Sequence, residues 1–492
     1  MKNWRALFRT KNLDDLISHV SVSGKTLKKD LGAVDLVALG IGAIIGAGIF
    51  AIVGTAAAGD ASRPGAGPAL VISFLLTGLA CAFSALCYAE FASMVPISGS
   101  AYTYSYSTLG EMLAWIIGWD LILEYAVGNI AVAVSWSGYF VQLLKGFGIN
   151  FPRWLSVDLR TALHSPEILH SAPHVFGVPI IFNLPAVFIV TAITVILVVG
   201  IKESSRFNMA MVATKLIILF FFIIVGCFYV KPANWTPFAP NGWHGIQAGA
   251  AVIFFAYIGF DAVSTAAEEC RNPKRDMPIG ILVSLVISTI VYILVALVLT
   301  GMVPWNKLNT SEPLSVAMRV VHENWAAGIV AFGSVVAHTA VLLVFQMGQP
   351  RIFFSMSRDG LLPKAFSKIH PKYRTPYVAT IITGVFVAGG SAIASLDEMA
   401  DLCNIGTLSA FILVCAGIIV LHYREPDRPR GFKTPLVPWL PLFGIAACFY
   451  LMLGLPDLAW IRFAVWLVVG LTLYFIYGYR HSQLAPLRSQ KL

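Results

Sequence analysis

Long apolar runs constrain this 492-residue chain more than any other feature of its sequence. Twelve windows contain 18 or more mostly apolar residues, and a helix of about 20 such residues spans the hydrocarbon core of a bilayer. We therefore predict an all-α polytopic membrane protein with 12 transmembrane helices. The predicted spans are 34–58, 68–94, 109–144, 180–200, 209–230, 245–268, 279–302, 325–350, 377–395, 398–421, 436–455 and 459–479.

Composition excludes a water-soluble fold, because 58% of the residues are hydrophobic and only 12% are charged. A soluble domain carries about 25% charged residues. The net charge of +9 does not indicate nucleic-acid binding, since Lys and Arg lie in loops between apolar spans and form no basic stripe. The predicted surroundings are the lipid bilayer.

The seven cysteines form no CxxC pair, so neither a disulfide scaffold nor a structural zinc site is indicated.

The distribution of cations predicts the orientation of the chain. An even number of spans puts both termini on one side, and 25 of the 34 Lys and Arg residues fall on that side. Cytoplasmic loops are the ones enriched in Lys and Arg, so both termini are predicted to be cytoplasmic. One cation, Lys215, lies inside the fifth predicted span.

Histidines give little support for a metal or haem site. His164, His170 and His174 lie in the outer loop 145–179, and His170 with His174 has the i, i+4 spacing of a helical metal pair, but solvated loop histidines are the simpler interpretation. His338 is the only histidine within a span, which disfavours haem held by paired membrane histidines. We predict no cofactor.

The first span contains four glycines within nine residues, Gly40, Gly42, Gly46 and Gly48. Each glycine weakens a helix by about 1 kcal/mol relative to alanine, so the helix can open here. The spacing Gly42-x-x-x-Gly46 equally suits close packing of two helices, and this segment alone leaves both interpretations open. A nucleotide-binding loop is excluded because no strand precedes the glycines.

The sixth span favours the open helix, because it changes from apolar to polar at Asp261. A carboxylate at that depth costs at least about 2.5 kcal/mol unless it faces protein or water. Interrupted helices at corresponding positions in two halves indicate a transporter site at the interface of an inverted repeat. Such breaks expose N–H groups at one helix end and C=O groups at the other, which together suit the carboxylate and ammonium of an amino acid.

These features, with several further motifs, closely resemble the amino acid-polyamine-organocation superfamily of transporters, and within it the bacterial relatives of the cationic amino acid transporters. The further motifs are Tyr88-Ala89-Glu90, the run from Pro96 to Tyr104, Gly118-Trp119-Asp120, Glu124-Tyr125, Phe255 to Pro273, and Ser357 to Pro363.

The resemblance implies two inverted five-helix repeats followed by two extra helices, the arrangement of the sodium-coupled leucine transporter fold. The repeats would occupy 34–230 and 245–421, the extra helices 436–479, and cytoplasmic segments 1–33 and 480–492. It also implies a location in the bacterial inner membrane.

The family's substrate site falls on two short segments. They are Ile44, Ile45, Gly46, Ala47 and Gly48 of the first span, and Phe255, Ala256, Tyr257 and Ile258 of the sixth. By this resemblance, amides of Gly46 to Gly48 bind the substrate carboxylate, and carbonyls near Ile44, Phe255 and Ala256 receive its ammonium. The side chain of Phe255 resembles the aromatic gate over the bound substrate. Relatives often have a hydroxyl residue where this chain has Ala47.

Lys215 lies where proton-coupled members of the family have an ammonium in place of a sodium ion. Our hypothesis is that it exchanges protons and, when charged, bridges the fifth span to carbonyls of the first break, with sodium not required. The alternative is a lysine whose side chain extends towards the membrane surface, where its ammonium reaches water and anchors the helix.

Glu124 and Phe345 are predicted at the substrate side-chain pocket or proton path. An intramembrane carboxylate such as Glu124 is functional by default, although a purely structural hydrogen-bonding role is the alternative. A bulky Phe345 would favour small or neutral substrates over arginine.

Three functions compete. Proton-driven amino acid symport is favoured by Lys215, and an exchanger of the same fold is the alternative. A membrane enzyme or channel is disfavoured, because neither a catalytic cluster nor a continuous polar pore is visible. The sequence does not indicate a companion subunit.

Overall fold

The computed structural model describes residue 7 and residues 9–11, 30–94, 100–200 and 205–485. Most of the predicted segment 1–33, residues 96–99 of one family motif, and residues 486–492 of the predicted tail lie outside this part of the chain.

Helices dominate the described chain, and the α-helices and strands are numbered here in chain order. They are α1 Ala33–Ile44, α2 Val53–Ala58, β1 Gly59–Asp60, β2 Arg63–Pro64, α3 Leu70–Met94, α4 Ser100–Thr108, α5 Glu111–Ile122, α6 Gly128–Gly146, α7 Leu159–Leu163, α8 Pro166–Ser171, β3 His174–Val175, β4 Val178–Pro179, α9 Leu184–Val199, α10 Ser205–Cys227, α11 Gly242–Ile253, α12 Pro273–Met302, α13 Pro313–Val320, α14 Asn324–Arg358, α15 Tyr377–Ile393, α16 Leu396–Arg424, α17 Trp439–Met452, α18 Asp457–Leu473 and α19 Tyr479–His481. Turns of π-helix cover Gly48–Ile52, Leu123–Val127 and Tyr474–Gly478, and 3₁₀ turns cover Gly67–Ala69, Arg153–Leu155, Pro232–Trp235, Phe254–Ala256, Asp261–Glu269, Trp305–Lys307 and Lys364–Ser367. Two antiparallel pairs, β1 with β2 and β3 with β4, are the strands of the described residues.

The long apolar helices confirm a polytopic membrane protein. Within the described residues, 8 helices are long and apolar enough to cross a membrane, or 9 if the bent pair α1 and α2 is one span. Three shorter apolar helices, α9, α15 and α17, lie within the predicted spans 180–200, 377–395 and 436–455. The total of 12 spans stays a prediction.

The third predicted span is a continuous helical segment of 36 residues, Glu111–Gly146. The sequence predicts this span at 109–144, which is too long for an upright crossing of the bilayer. The observed position and length agree closely with that prediction. Its middle is not α-helical, because the π turn Leu123–Val127 separates α5 from α6. Neither apolar periodicity nor length predicted this turn.

Small residues let the central helices approach closely. Helix α12 packs against both α1 and α3. A Cβ added at Gly40 of α1 would lie 2.4 Å from Oγ of Ser284, and one added at Gly280 of α12 would lie 2.7 Å from Cβ of Leu36. Glycine therefore sets the distance between α1 and α12, as in other membrane helix pairs with small interfacial residues.

A buried ion-pair network joins the end of the first span to the start of α16. Nη1 of Arg63 donates to Asp401 over 2.6 Å, and its Nε donates to Asp60 over 2.8 Å. Burial opposes the positive charge of Arg63, but the carboxylates of Asp401 and Asp60 outweigh it and raise the pKa of the guanidinium. The hairpin β1–β2 is thereby fixed to α16.

Candidate functional site

The first span is broken where the glycines predict. Helix α1 ends at Ile44, Ile45 adopts an extended conformation (φ −77°, ψ 103°), and the π turn Gly48–Ile52 resumes the span at an angle of 43°. The first N–H groups of a helical segment have no partner within it, so residues 46–48 lie where backbone donors can face a ligand.

The sixth span is broken at the corresponding place. Helix α11 ends at Ile253, a 3₁₀ turn covers Phe254–Ala256, and Asp261 begins the next 3₁₀ segment. Gly259 lies between them with φ of +115°, a conformation that side-chain-bearing residues rarely adopt. Asp261 therefore stands at the start of the half-helix that follows the break, where the sequence changes from apolar to polar.

The two breaks touch each other through backbone. A Cβ added at Gly48 would lie 2.2 Å from Cα of Ala256, and one added at Gly46 would lie 2.7 Å from Cγ2 of Val341. The glycines thus serve both interpretations left open by the sequence, because they permit the break and also close packing. All nine predicted substrate residues are buried around this contact, but the Tyr257 hydroxyl donates to the carbonyl of Phe74 on α3.

Lys215 reaches the first break from α10. Its Nζ donates to the carbonyl oxygens of Gly42 over 2.7 Å and Ile45 over 2.8 Å, and the side chain has no exposed surface. A lysine that anchors its helix at the membrane surface would not be enclosed in this way. Because α10 begins at Ser205, before the predicted 209, Lys215 lies about 15 Å along the helix.

Tyr292 of α12 joins the two breaks and was missed by the sequence analysis. Its hydroxyl lies 3.0 Å from the carbonyl oxygen of Ile44 and 2.9 Å from that of Ala256, and its single proton can serve one of them at a time. These are carbonyls that the family resemblance assigns to the substrate ammonium. A single tyrosine midway along the apolar run 279–302 is the signal that could have identified it.

Tyr292→Phe is expected to weaken both stability and amino acid binding, because a buried carbonyl loses its donor at a cost of about 1–3 kcal/mol. Thermal unfolding and equilibrium binding of the purified protein measure the two effects. Tyr474→Phe is the matched control, since its buried hydroxyl donates to Glu111 over 3.0 Å, far from the breaks. Unchanged affinity in Tyr292→Phe would show that the hydroxyl only stabilises the fold.

Glu124 lies in the π turn of the third span. Its side chain is buried, and neither carboxyl oxygen forms a hydrogen bond with any residue that the structure describes. The carboxyl of Asp261 and the hydroxyl of Thr407 are adjacent to it. The hydroxyl of Tyr125 donates to Asp261 over 3.3 Å. The structure thus brings Glu124 to the start of the lower half of the sixth span.

Phe345 of α14 packs against the same turn. Its ring centroid lies 5.5 Å from that of Tyr125, and a Cβ added at Gly128 would lie 3.5 Å from Cε2 of Phe345. Phe345 and Glu124 are therefore neighbours of one element, the π turn, which the sequence did not indicate.

A cavity of about 240 Å³ lies beside the end of the first span. Thr55 at the end of the first span, Asn183 before α9 and Asp397 of α16 contribute polar atoms to its lining. The Thr55 hydroxyl donates to Asp397 over 3.1 Å.

The described residues contain no group of three or more His, Cys, Asp or Glu side chains that could hold a metal ion. His338 is buried, and its Nδ1 lies 2.7 Å from the carbonyl oxygen of Ser334.

Comparison with known proteins identifies the family of this chain. The family described as amino acid permease matches residues 31–476. The chain is 50% identical over 486 residues to the branched-chain amino acid permease BcaP of Bacillus subtilis strain 168, covering 97% of this chain and 99% of that protein. It is 47% identical over 479 residues to the methylthioribose transporter of the same organism, with the same coverage.

A plant relative is also similar over most of its length. Cationic amino acid transporter 4, vacuolar, of Arabidopsis thaliana is 39% identical over 428 residues, which cover 86% of this chain and 68% of that protein. These relatives are transporters and permeases, not enzymes. The chain therefore belongs to the amino acid permease family, within the amino acid-polyamine-organocation superfamily of membrane transporters.

Proposed function

We propose that this chain is a secondary active transporter that imports L-amino acids together with protons by alternating access. The substrate binds between the broken centres of the first and sixth spans. The observation that carries the proposal is the ammonium of Lys215 held by two carbonyls of the first break.

The proposed architecture has 12 spans, arranged as inverted repeats over 34–230 and 245–421 with two further helices in 436–479. The matching breaks in the first span of each repeat support this division. Both termini face the cytoplasm of a bacterium, and the protein lies in the inner membrane.

The proton is the proposed coupling ion, and no sodium ion or cofactor is required. A charged Lys215 ties α10 to the first break, whereas a neutral Lys215 loses most of that attraction. Proton loss therefore frees the first break to move relative to α10. An ion can shift a conformational equilibrium only by binding the two states differently, and this contact supplies such a difference.

Glu124 and Asp261 form the proposed second part of the proton path. Their carboxyls lie side by side, and carboxyl groups within membrane spans commonly form proton relays in transporters. Asp261 begins the half-helix that follows the second break, and a change in its charge would act directly on that helix N-terminus.

The proposed substrates are neutral, branched-chain amino acids. The name of the Bacillus relative at 50% identity indicates this class. The side chains of Ile44, Ile45, Phe255 and Ile258 around the breaks are apolar, and Phe345 is bulky.

Uptake into proteoliposomes tests this function. Labelled leucine, alanine and arginine are supplied with and without an inward proton gradient, in the absence of sodium. We expect the gradient to drive accumulation of leucine in preference to arginine. Brisk exchange against preloaded amino acid, without gradient-driven accumulation, would refute symport and assign the chain as an antiporter.

A further inference from the structure

A cleft of about 660 Å³ lies at the start of α12, away from both helix breaks. One wall is the first part of α12, and the other is the loop that connects α16 to α17. The residues that line it are Asn272, Lys274, Arg275, Pro278, Ile279, Leu282, Val283, Gly431 and Phe432.

The loop wall is firmly attached. Arg430 donates from Nε to the buried Glu90 over 2.7 Å, and the amide of Thr434 donates to the same carboxylate over 2.8 Å. Between them, Gly431 lies directly on the stem of Lys274, because an added Cβ would be 2.6 Å from Cβ of that lysine. The cleft is therefore a fixed feature of the fold.

The mouth of the cleft is positively charged. Lys274 and Arg275 are exposed, and neither forms an ion pair with any side chain that the structure describes. They occupy the first turn of a 30-residue helix whose N-cap, Asn272, makes no side-chain capping bond. Helix N-termini attract anions, so the dipole and both cations favour a negatively charged group at this point.

The depth of the cleft is apolar and open to the membrane. Ile279, Leu282 and Val283 line it, and Val283 is 39% exposed. The exposed side chains Val286 and Ile290 continue the same face of α12. Val283 lies nine residues beyond Lys274, a rise of about 14 Å along the helix. That distance is close to the thickness of one leaflet, about 15 Å.

We propose that this cleft binds one anionic phospholipid, with its headgroup phosphate at Lys274 and Arg275 and an acyl chain along Ile279 to Val283. A phosphate group alone would use the charged mouth, whereas a lipid also uses the apolar wall. Basic clusters beside a membrane helix on the cytoplasmic side favour anionic lipids, and the proposed orientation puts this cleft on that side.

The test uses the full chain, purified in detergent and depleted of lipid. Phosphatidylglycerol or phosphatidylcholine is titrated in, and native mass spectrometry measures the bound lipid. We expect phosphatidylglycerol to bind in preference to phosphatidylcholine. The double variant Lys274→Gln, Arg275→Gln is expected to bind phosphatidylglycerol about 30-fold more weakly. Lys364→Gln, Lys368→Gln is the matched control, because it removes two exposed cations from another loop on the same side.

A second variant separates lipid from free phosphate. Ile279→Trp narrows the apolar part and keeps both cations, so it should also weaken phosphatidylglycerol binding. Equal binding by both double variants would overturn the proposal. Unchanged binding by Ile279→Trp, together with displacement of phosphatidylglycerol by inorganic phosphate, would show a phosphate site and equally overturn it. Thermal unfolding checks that every variant is folded.

Discussion

Lys215→Met is expected to abolish proton-driven accumulation of amino acid. Methionine keeps the length and apolar stem of the side chain but cannot donate to the carbonyls of Gly42 and Ile45. Without a group in the first break that gains and loses a proton, protons no longer bind the two conformations with different affinities, so the gradient cannot drive the cycle. The measurement is the inside-to-outside concentration ratio of labelled leucine in proteoliposomes. This ratio should fall to about one, the value for simple equilibration.

The control for this variant is Lys231→Met, which removes an exposed lysine just after the same helix and should leave accumulation intact. Leucine binding to Lys215→Met should be measured as well, because loss of accumulation with retained binding separates coupling from folding. Full accumulation by Lys215→Met would defeat the proposed role of this ammonium.

Gly48→Ala is expected to lower amino acid affinity about 100-fold, which is a loss of about 3 kcal/mol in binding free energy. The added Cβ would lie 2.2 Å from Cα and 2.7 Å from the backbone nitrogen of Ala256, so no side-chain rotation relieves the clash. The two breaks would have to separate, and the groups proposed to bind one amino acid would separate with them. Equilibrium binding of leucine and thermal unfolding are the measurements.

Gly389→Ala is the matched control, since Gly389 lies within α15 and a Cβ there meets no atom within 4 Å. This change should be neutral or slightly stabilising, because alanine favours a helix by about 1 kcal/mol over glycine. Wild-type affinity in Gly48→Ala would show that the contact between the breaks is not required for binding.

Sequence patterns predicted the large features of the molecule for clear physical reasons. A bilayer demands long apolar helices, so span positions are readable from apolar windows. Glycine clusters weaken helices locally, and the break after Ile44 falls within the predicted run. Lys215 is the single cation of the predicted span 209–230, so its partners had to be backbone carbonyls or groups of another helix.

The finer geometry of the site depends on contacts between distant segments and left no local pattern. Tyr292 is one aromatic residue in an apolar helix, and nothing nearby in sequence indicates that it meets Ile44 and Ala256. The proximity of Glu124 to Asp261 likewise requires the third and sixth spans to be packed together. The helix start at Ser205 was missed because the first residues of α10 are polar and precede its apolar window.

The π turn at Leu123–Val127 has a consequence for insertions and deletions. A π turn holds one residue more than an α turn, and each residue advances a helix by about 100°. Before the turn, Trp119 donates to the carbonyl of Trp466 over 2.8 Å, and after it Asn129 donates to Gln346 over 2.7 Å. Deleting a single residue within the turn would restore a regular α-helix and swing one of these two faces away from its partner. The surplus residue is what allows one uninterrupted helix to keep two differently oriented neighbours in register.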